Sequence, residues 1–267
     1  MSFPLVLFDI DGTLTEPRQV VKSNVINALL ELVKYVEIGF LTGSDLEYVK
    51  EQLWPLFERT SIKENCHVLP CNGTQYYIPG EGKGNFNAVF RTDMKSSLGD
   101  TEFNRIMRVI TTLQAELVNE FKDIPLTGHF IQNRGSMINW CPIGRNASNE
   151  EREDFTALDN FNSIRKKYLN KFRKEMIDLK FDDIEAKLGG STSFDIYPYG
   201  WDKTFALKHF SDNTQVWFLG DRCSPDGNDF EIFNMLQREG RSYEVASPDD
   251  TVEIIEMLIA QEFHKYV

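Results

Sequence analysis

Two aspartates two residues apart, Asp9 and Asp11, open the run Asp9-Ile-Asp-Gly-Thr-Leu-Thr15. Carboxylates this close repel one another and resist desolvation, so such a pair holds a cation or divides nucleophile and acid duties between its members. A solvated Asp-Gly turn is the plainer reading. Against it stands the preceding run Leu5-Val-Leu-Phe8, which suits a central strand of a parallel sheet. Ligands of open α/β sheets bind beyond the carboxyl ends of such strands. Side chains two apart on a strand point the same way, so Asp9 and Asp11 are expected to face one small volume.

Three more stretches occupy comparable places. Ser44 follows the strand-like Ile38-Gly-Phe-Leu41, Lys203 starts a helix, and Gly220-Asp221 ends Val216-Trp-Phe-Leu219, with Gly227-Asn-Asp229 just beyond. Singly these read as a helix cap, a surface lysine and a helix start. Four in order, all beside strand or helix ends, make that set of readings improbable together.

The elements that must carry these residues alternate. Val25, Ile26, Leu29, Leu30 and Val33 recur at helical spacing, with Ser23 or Asn24 as N-cap. Leu46, Val49 and Leu53 mark a second helix, and His67-Val-Leu69 a third strand. Strand, helix, strand, helix, strand is the pattern of parallel crossover units. Asn72-Gly73 then predicts a hairpin with Tyr76-Tyr-Ile78, and the Gly-rich Pro79 to Gly84 stretch a linker. An α+β insert follows. It has a long amphipathic helix marked by Phe103, Ile106, Met107, Ile110, Leu113, Leu117 and Phe121, a strand pair around Asn133 to Ser136, and a helix opened by the capping box Ser148-x-x-Glu151. Ile164, Tyr168, Phe172 and Met176 form that helix's expected buried stripe, and strands at Leu179 to Phe181 and Ser193 to Tyr197 close the insert. The first rhythm resumes with a helix from Trp201, the strand to Leu219, a helix from Asp229, a short strand at Val245 and a last helix through Ile255 and Leu258. The expected fold is α/β, a Rossmann-like core of residues 1–83 and 199–267 with a parallel sheet, interrupted by an α+β cap of residues 84–198.

Composition narrows the function. With 267 residues, 41% of them hydrophobic, the chain can bury a sizeable core. A net charge of -12 disfavours nucleic acid and anionic membranes as partners, and an anionic small substrate would need local arginines. The short N-terminal apolar run ends at Asp9 without a basic flank, and no stretch is long enough to span a bilayer, so a soluble, cytoplasmic protein is expected. Cys66, Cys71, Cys141 and Cys223 form no C-x-x-C pair and read as free thiols.

The four stretches resemble the motifs of the haloacid-dehalogenase superfamily. That resemblance implies that Asp9 attacks phosphorus to form an aspartyl phosphate, while Asp11 protonates the leaving oxygen and later recovers the proton. It implies Mg2+ held by the Asp9 carboxylate, the Asp11 backbone carbonyl and Asp221, with Ser44 and Lys203 on the phosphoryl oxygens.

The insert is more specific. Phe130 to Arg152, Gly189-Gly-x-x-Ser193-Phe-Asp195 and Gly200-Trp-Asp-Lys203 are similar to eukaryotic-type phosphomannomutases, as are Glu16-Pro-Arg18 and Ser224-Pro-Asp-Gly-Asn-Asp229. The resemblance implies that Arg18, Arg134, Arg145 and Arg152 grip a phosphorylated hexose's phosphates, with Ser193 and Asp195 on its hydroxyls. Guanidinium forks suit phosphate oxygens. It further implies interconversion of mannose 6-phosphate and mannose 1-phosphate for GDP-mannose biosynthesis, a hexose 1,6-bisphosphate activator, and a homodimer formed through the cap. A sugar-phosphate phosphatase and a non-catalytic phosphosugar binder are the alternatives. Thr42, Cys71 and Arg222 depart from the family pattern, which usually has glycine, an acidic residue and lysine there.

Overall fold

The computed structural model describes residues 4–266 apart from 60, 61, 63, 65, 83 and 226. It divides into two compact units, residues 1–91 with 201–267 and residues 92–200.

Among the described residues, the first unit contains a seven-stranded sheet. Its strands are β1 (Leu5–Phe8), β2 (Glu37–Leu41), β3 (Cys66–Leu69), β4 (Gln75–Pro79), β5 (Phe86–Arg91), β10 (Val216–Gly220) and β11 (Ser242–Glu244), in the order β11-β10-β1-β2-β3-β4-β5. The pairs from β11 to β3 are parallel; β3-β4 and β4-β5 are antiparallel. This parallel-dominated α/β architecture is the one expected.

Alternation along β1 sends side chains into two cores. Val6 and Phe8 pack with α1 (Ser23–Leu32), α2 (Leu46–Phe57) and the C-terminal α8 (Pro248–Gln261). Leu5 and Leu7 pack with Phe218, Ala206, and Ile232 and Leu236 of α7 (Phe230–Gln237). All four β1 residues are fully buried, which explains the unbroken apolar run.

Local chemistry corrects several expectations. Neither Ser23 nor Asn24 caps α1: the cap is Lys22, without a side-chain bond, and Asn24 donates instead to Asp249 Oδ1 at 2.7 Å. Pro79 to Gly84 is no linker but the turn of the β4-β5 hairpin, closed by Gly80 N–H to the Asn85 carbonyl at 2.8 Å, and Lys83 of that stretch lies outside the described residues. That pairing carries residues 86–91 with the first unit.

The second unit holds a four-stranded antiparallel sheet, β6 (Ile131–Asn133), β7 (Ile138–Trp140), β9 (Ser193–Pro198) and β8 (Ile184–Gly189) in that order. Its helices are α3 (Met94–Leu98), α4 (Asp100–Glu120), α5 (Asn149–Asn162) and α6 (Ile164–Asp178). The capping box at Ser148 and Glu151 is formed in both directions. The stripe of Ile164, Tyr168, Phe172 and Met176 lies on α6, because Ser163 takes a left-handed φ of 52° and ends α5. Residues 179–181 form a turn, and the strand expected there is β8, three residues later. No described helix is long and apolar enough to cross a membrane.

Candidate active site

Asp9 leaves the end of β1 with its N–H donated to the Leu219 carbonyl of β10 at 2.9 Å, which sets it beside Gly220 and Asp221. It keeps the parity of Leu5 and Leu7, and its carboxylate meets the ammonium of Lys203. Lys203 heads the 3-10 helix Lys203–His209, is fully buried, and also donates to Asp229 Oδ1. Asp229, equally buried, takes the Arg222 backbone N–H on Oδ2 at 3.0 Å. A Cβ at residue 220 would lie 2.7 Å from Asp229 Oδ2, so only glycine lets that carboxylate reach the end of β10.

Three carboxyl groups and one ammonium therefore meet in one small volume, with Asp9, Asp229 and Lys203 buried and Asp221 half-buried. One ligand atom each of Asp9, Asp221 and Asp229 lies within 4.8 Å of the others. Burial raises the Asp9 carboxyl to about 8 against the pull of Lys203, with Asp229 and Asp221 adding to the rise. Burial, then Asp229, raises Asp221 to about 6. Burial works against the charged form of Lys203, but Asp229 and Asp9 outweigh it and hold the ammonium above its ordinary value. Such a site lacks positive charge. Asp221 Oδ1 is buried without a hydrogen-bond partner among the described residues, and every donor in the cluster is oxygen, a set that fits a small hard divalent cation.

Asp11 has other partners. β1 ends at Phe8 and Gly12 turns with φ +84°, so strand alternation no longer governs where the Asp11 side chain goes. Its Oδ1 accepts from the Arg18 backbone N–H (2.9 Å), Gln52 Nε2 (3.0 Å) and the Tyr48 hydroxyl (3.0 Å), and Tyr48 also reaches Oδ2 (2.9 Å). Tyr48 and Gln52 sit one turn apart on α2. Burial and the Asp11 charge raise the Tyr48 phenol, which keeps it protonated. Arg18 is exposed and left-handed, with φ 62°.

Ser44 is not the cap of α2; Asp45 is, accepting from Tyr48 N–H at 3.0 Å. The Ser44 backbone is pinned instead, its N–H donated to Thr42 Oγ1 (3.1 Å) and its carbonyl accepting from Cys71 N–H (2.8 Å). Of the family departures, Thr42 thus holds the Ser44 loop through its side chain and Cys71 through its backbone N–H alone. The third, Arg222, lies with Nε 3.8 Å from Asp221 Oδ2.

In the second unit Arg134 lies just past β6 rather than within a strand, its N–H bonded to the Met137 carbonyl at 2.9 Å. Arg145 Nη1 donates to Asn139 Oδ1 (2.9 Å), and Asn139 Nδ2 to Asp195 Oδ1 (2.7 Å), which links Arg145 to Asp195 through β7. Arg152 donates from Nε to the Ala147 carbonyl (3.0 Å), from Nη2 to the Arg145 carbonyl (2.9 Å) and from Nη1 to Thr192 Oγ1 (2.9 Å). Ser193 Oγ donates to the Gly189 carbonyl at 2.9 Å. Arg145, Arg152, Ser193 and Asp195 thus belong to one end of the β7-β9-β8 sheet.

Sequence reasoning gave no role to Asp229, Tyr48 or Gln52. Asp229 carried a usable signal, a second acid eight residues after Asp221 and beyond a Gly-Asn turn. Tyr48 and Gln52 carried none, since their partner lies across the fold. Asp226 of the Ser224 to Asp229 string lies outside the described residues.

Solved structures of similar fold include the IMP-nucleotidase of Plasmodium falciparum, similar over 97% of this chain and 68% of that one with TM-score 0.67 and 16% identity. The trehalose-6-phosphate phosphatase of Aspergillus fumigatus is similar over 97% and 93%, with TM-score 0.53 and 16% identity. At that identity the likeness concerns the α/β fold alone. Sequence comparison goes further. A phosphomannomutase of Dendrobium officinale is 37% identical over 93% of this chain and 91% of its own, and that of Saccharomyces cerevisiae 37% identical over 94% and 92%. The model of the eukaryotic phosphomannomutase family matches residues 25–261, and the chain belongs to that family.

Proposed function

We propose that the protein is a phosphomannomutase that interconverts mannose 6-phosphate and mannose 1-phosphate. The observation that carries this reading is the clustering of Asp9, Asp221 and Asp229, with buried Lys203 paired to Asp9 and Asp229, in a chain of this family. Asp9 is the nucleophile, and a carboxylate held between an ammonium and a cation site can attack phosphorus without a base. The P–O bond to the sugar breaks as the Asp9 oxygen bonds phosphorus, and Asp11 gives its proton to the departing sugar oxygen. In the reverse direction Asp11 takes that proton back. Lys203 and Ser44 hold the phosphoryl oxygens and balance their charge. Mg2+ would be held by the carboxylates of Asp9 and Asp221 and the backbone carbonyl of Asp11, and would supply positive charge to the transferring phosphoryl group.

A mutase must also hold the phosphate that is not reacting. Arg18, Arg134, Arg145 and Arg152 are assigned to that task, with Ser193 and Asp195 on the sugar hydroxyls, and residues 92–200 are read as the substrate-recognising cap. Priming by a hexose 1,6-bisphosphate, a homodimer and a role in GDP-mannose supply belong to the same reading. The four buried free cysteines suit a reducing compartment, the cytoplasm.

Trapping the phosphoenzyme tests this. Labelled glucose 1,6-bisphosphate with Mg2+ is expected to leave one acid-stable, base-labile phosphoryl group on the peptide that contains Asp9, and none on Asp9→Asn. Label elsewhere, or no label with the wild type, contradicts the reading.

A further inference from the structure

We infer that Tyr48 is a positioning residue for Asp11 that meets the charge left on Oδ2 when the proton is transferred. The two carboxylate oxygens have unequal surroundings. Oδ1 accepts from the Arg18 backbone N–H, from Gln52 Nε2 and from the Tyr48 hydroxyl, at 2.9, 3.0 and 3.0 Å. Among the described residues, Oδ2 accepts from the Tyr48 hydroxyl alone, at 2.9 Å. An amide N–H and a carboxamide NH2 are donors only, so a proton on Oδ1 would collide with two hydrogens that cannot turn away. The orientation of the Gln52 carboxamide is set by its Oε1, which accepts from Thr15 Oγ1 at 3.1 Å. A phenol has one rotatable hydrogen and can accept as well as donate. Tyr48 bridges both oxygens, so its hydrogen follows the charge. It points to Oδ1 while Oδ2 carries the proton, and it turns to Oδ2 once that proton has left.

The consequence for the step is specific. As the Asp9 oxygen bonds phosphorus and the phosphorus–sugar bond breaks, the bonding pair leaves on the sugar oxygen. That oxygen takes the proton from Asp11 Oδ2, and the charge left on Oδ2 is met by the Tyr48 hydroxyl. The hydrogen bond to Oδ2 therefore strengthens during the transfer and belongs to the transition state rather than to substrate binding. Tyr48 is held for this task by its place on α2, where its own N–H is donated to the Asp45 cap and Val49 and Leu53 are buried in the core beneath.

This assignment rests on the phosphoryl-transfer reading of Asp9, and the experiment separates the two. Phosphoenzyme formation is followed in single turnovers from two donors: glucose 1,6-bisphosphate, whose sugar oxygen must be protonated, and p-nitrophenyl phosphate, whose leaving group departs as the anion. In Tyr48→Phe the ratio of the sugar rate to the nitrophenyl rate is expected to fall about tenfold, with the KM for the bisphosphate changed less than about twofold. A circular-dichroism melt is run alongside, since the variant keeps the ring and its packing. An unchanged ratio overturns the role of Tyr48, whether both rates survive or both fall together. A wild type that forms no phosphoenzyme from either donor overturns the reading of Asp9 itself.

Discussion

Gly12 lies directly against Asp221: a Cβ on residue 12 would stand 2.6 Å from Asp221 Cγ and overlap its carboxylate oxygen. The D-x-D-G-T turn and the acidic end of β10 are thus one packed unit, and the glycine is needed for both its φ of +84° and its missing side chain. Gly12→Ala is expected to cost about 1–3 kcal/mol of stability and to displace Asp221. Calorimetric titration should then show Mg2+ binding weakened at least about tenfold, since a ligand 1 Å out of place is largely lost. Unchanged affinity would mean that Asp221 is not a ligand.

Lys203 is the internal counter-ion of two buried aspartates. Lys203→Met leaves Asp9 and Asp229 without it, and breaking a buried pair in this way costs about 3–5 kcal/mol. Urea unfolding at pH 8 in chelator is the measurement, and added Mg2+ is expected to recover part of the loss. A variant as stable as the wild type would show that the cluster is not charged.

The raised carboxyls give a pH dependence with a definite sign. In the unfolded chain Asp9 and Asp221 titrate near their ordinary 3.8, whereas burial lifts them in the fold to about 8 and about 6. The folded, magnesium-free protein holds protons that the unfolded chain has released, so this contribution is complete below pH 4 and is lost as pH rises through 6 and then 8. Urea midpoints in chelator between pH 5 and 8 are expected to fall more steeply for the wild type than for Asp221→Asn. Equal slopes would contradict the assignment.

Arg152 serves the second unit through three different acceptors, the carbonyls of Arg145 and Ala147 and the Thr192 hydroxyl. A lysine cannot match that fork. Arg152→Lys is expected to lower stability by about 1–3 kcal/mol and to raise the KM for mannose 1-phosphate as the Arg145 loop loosens. Thermal melts and initial rates measure the two effects.

Much of this was legible in the chain. The β1 run, the acids that follow it and the Ser148 capping box are short-range patterns, and the structure forms β1 and the box as read. What escaped depends on partners distant in sequence. β5 is largely exposed, and its pairing with β4 runs through a Gly-rich turn that by composition alone reads as a linker. The break at Ser163 uses a left-handed residue that is not glycine. Asp229 looked like a helix start because Lys203, 26 residues away, supplies its meaning. Tyr48 and Gln52 looked like ordinary helix residues because Asp11 is 37 and 41 residues distant.

Transfer between two positions of one sugar is read directly by phosphorus NMR. With Mg2+, mannose 1-phosphate and a trace of glucose 1,6-bisphosphate, the protein is expected to bring mannose 6-phosphate to equilibrium, with little inorganic phosphate and no turnover when the bisphosphate is withheld. Steady release of inorganic phosphate without mannose 6-phosphate would contradict the account.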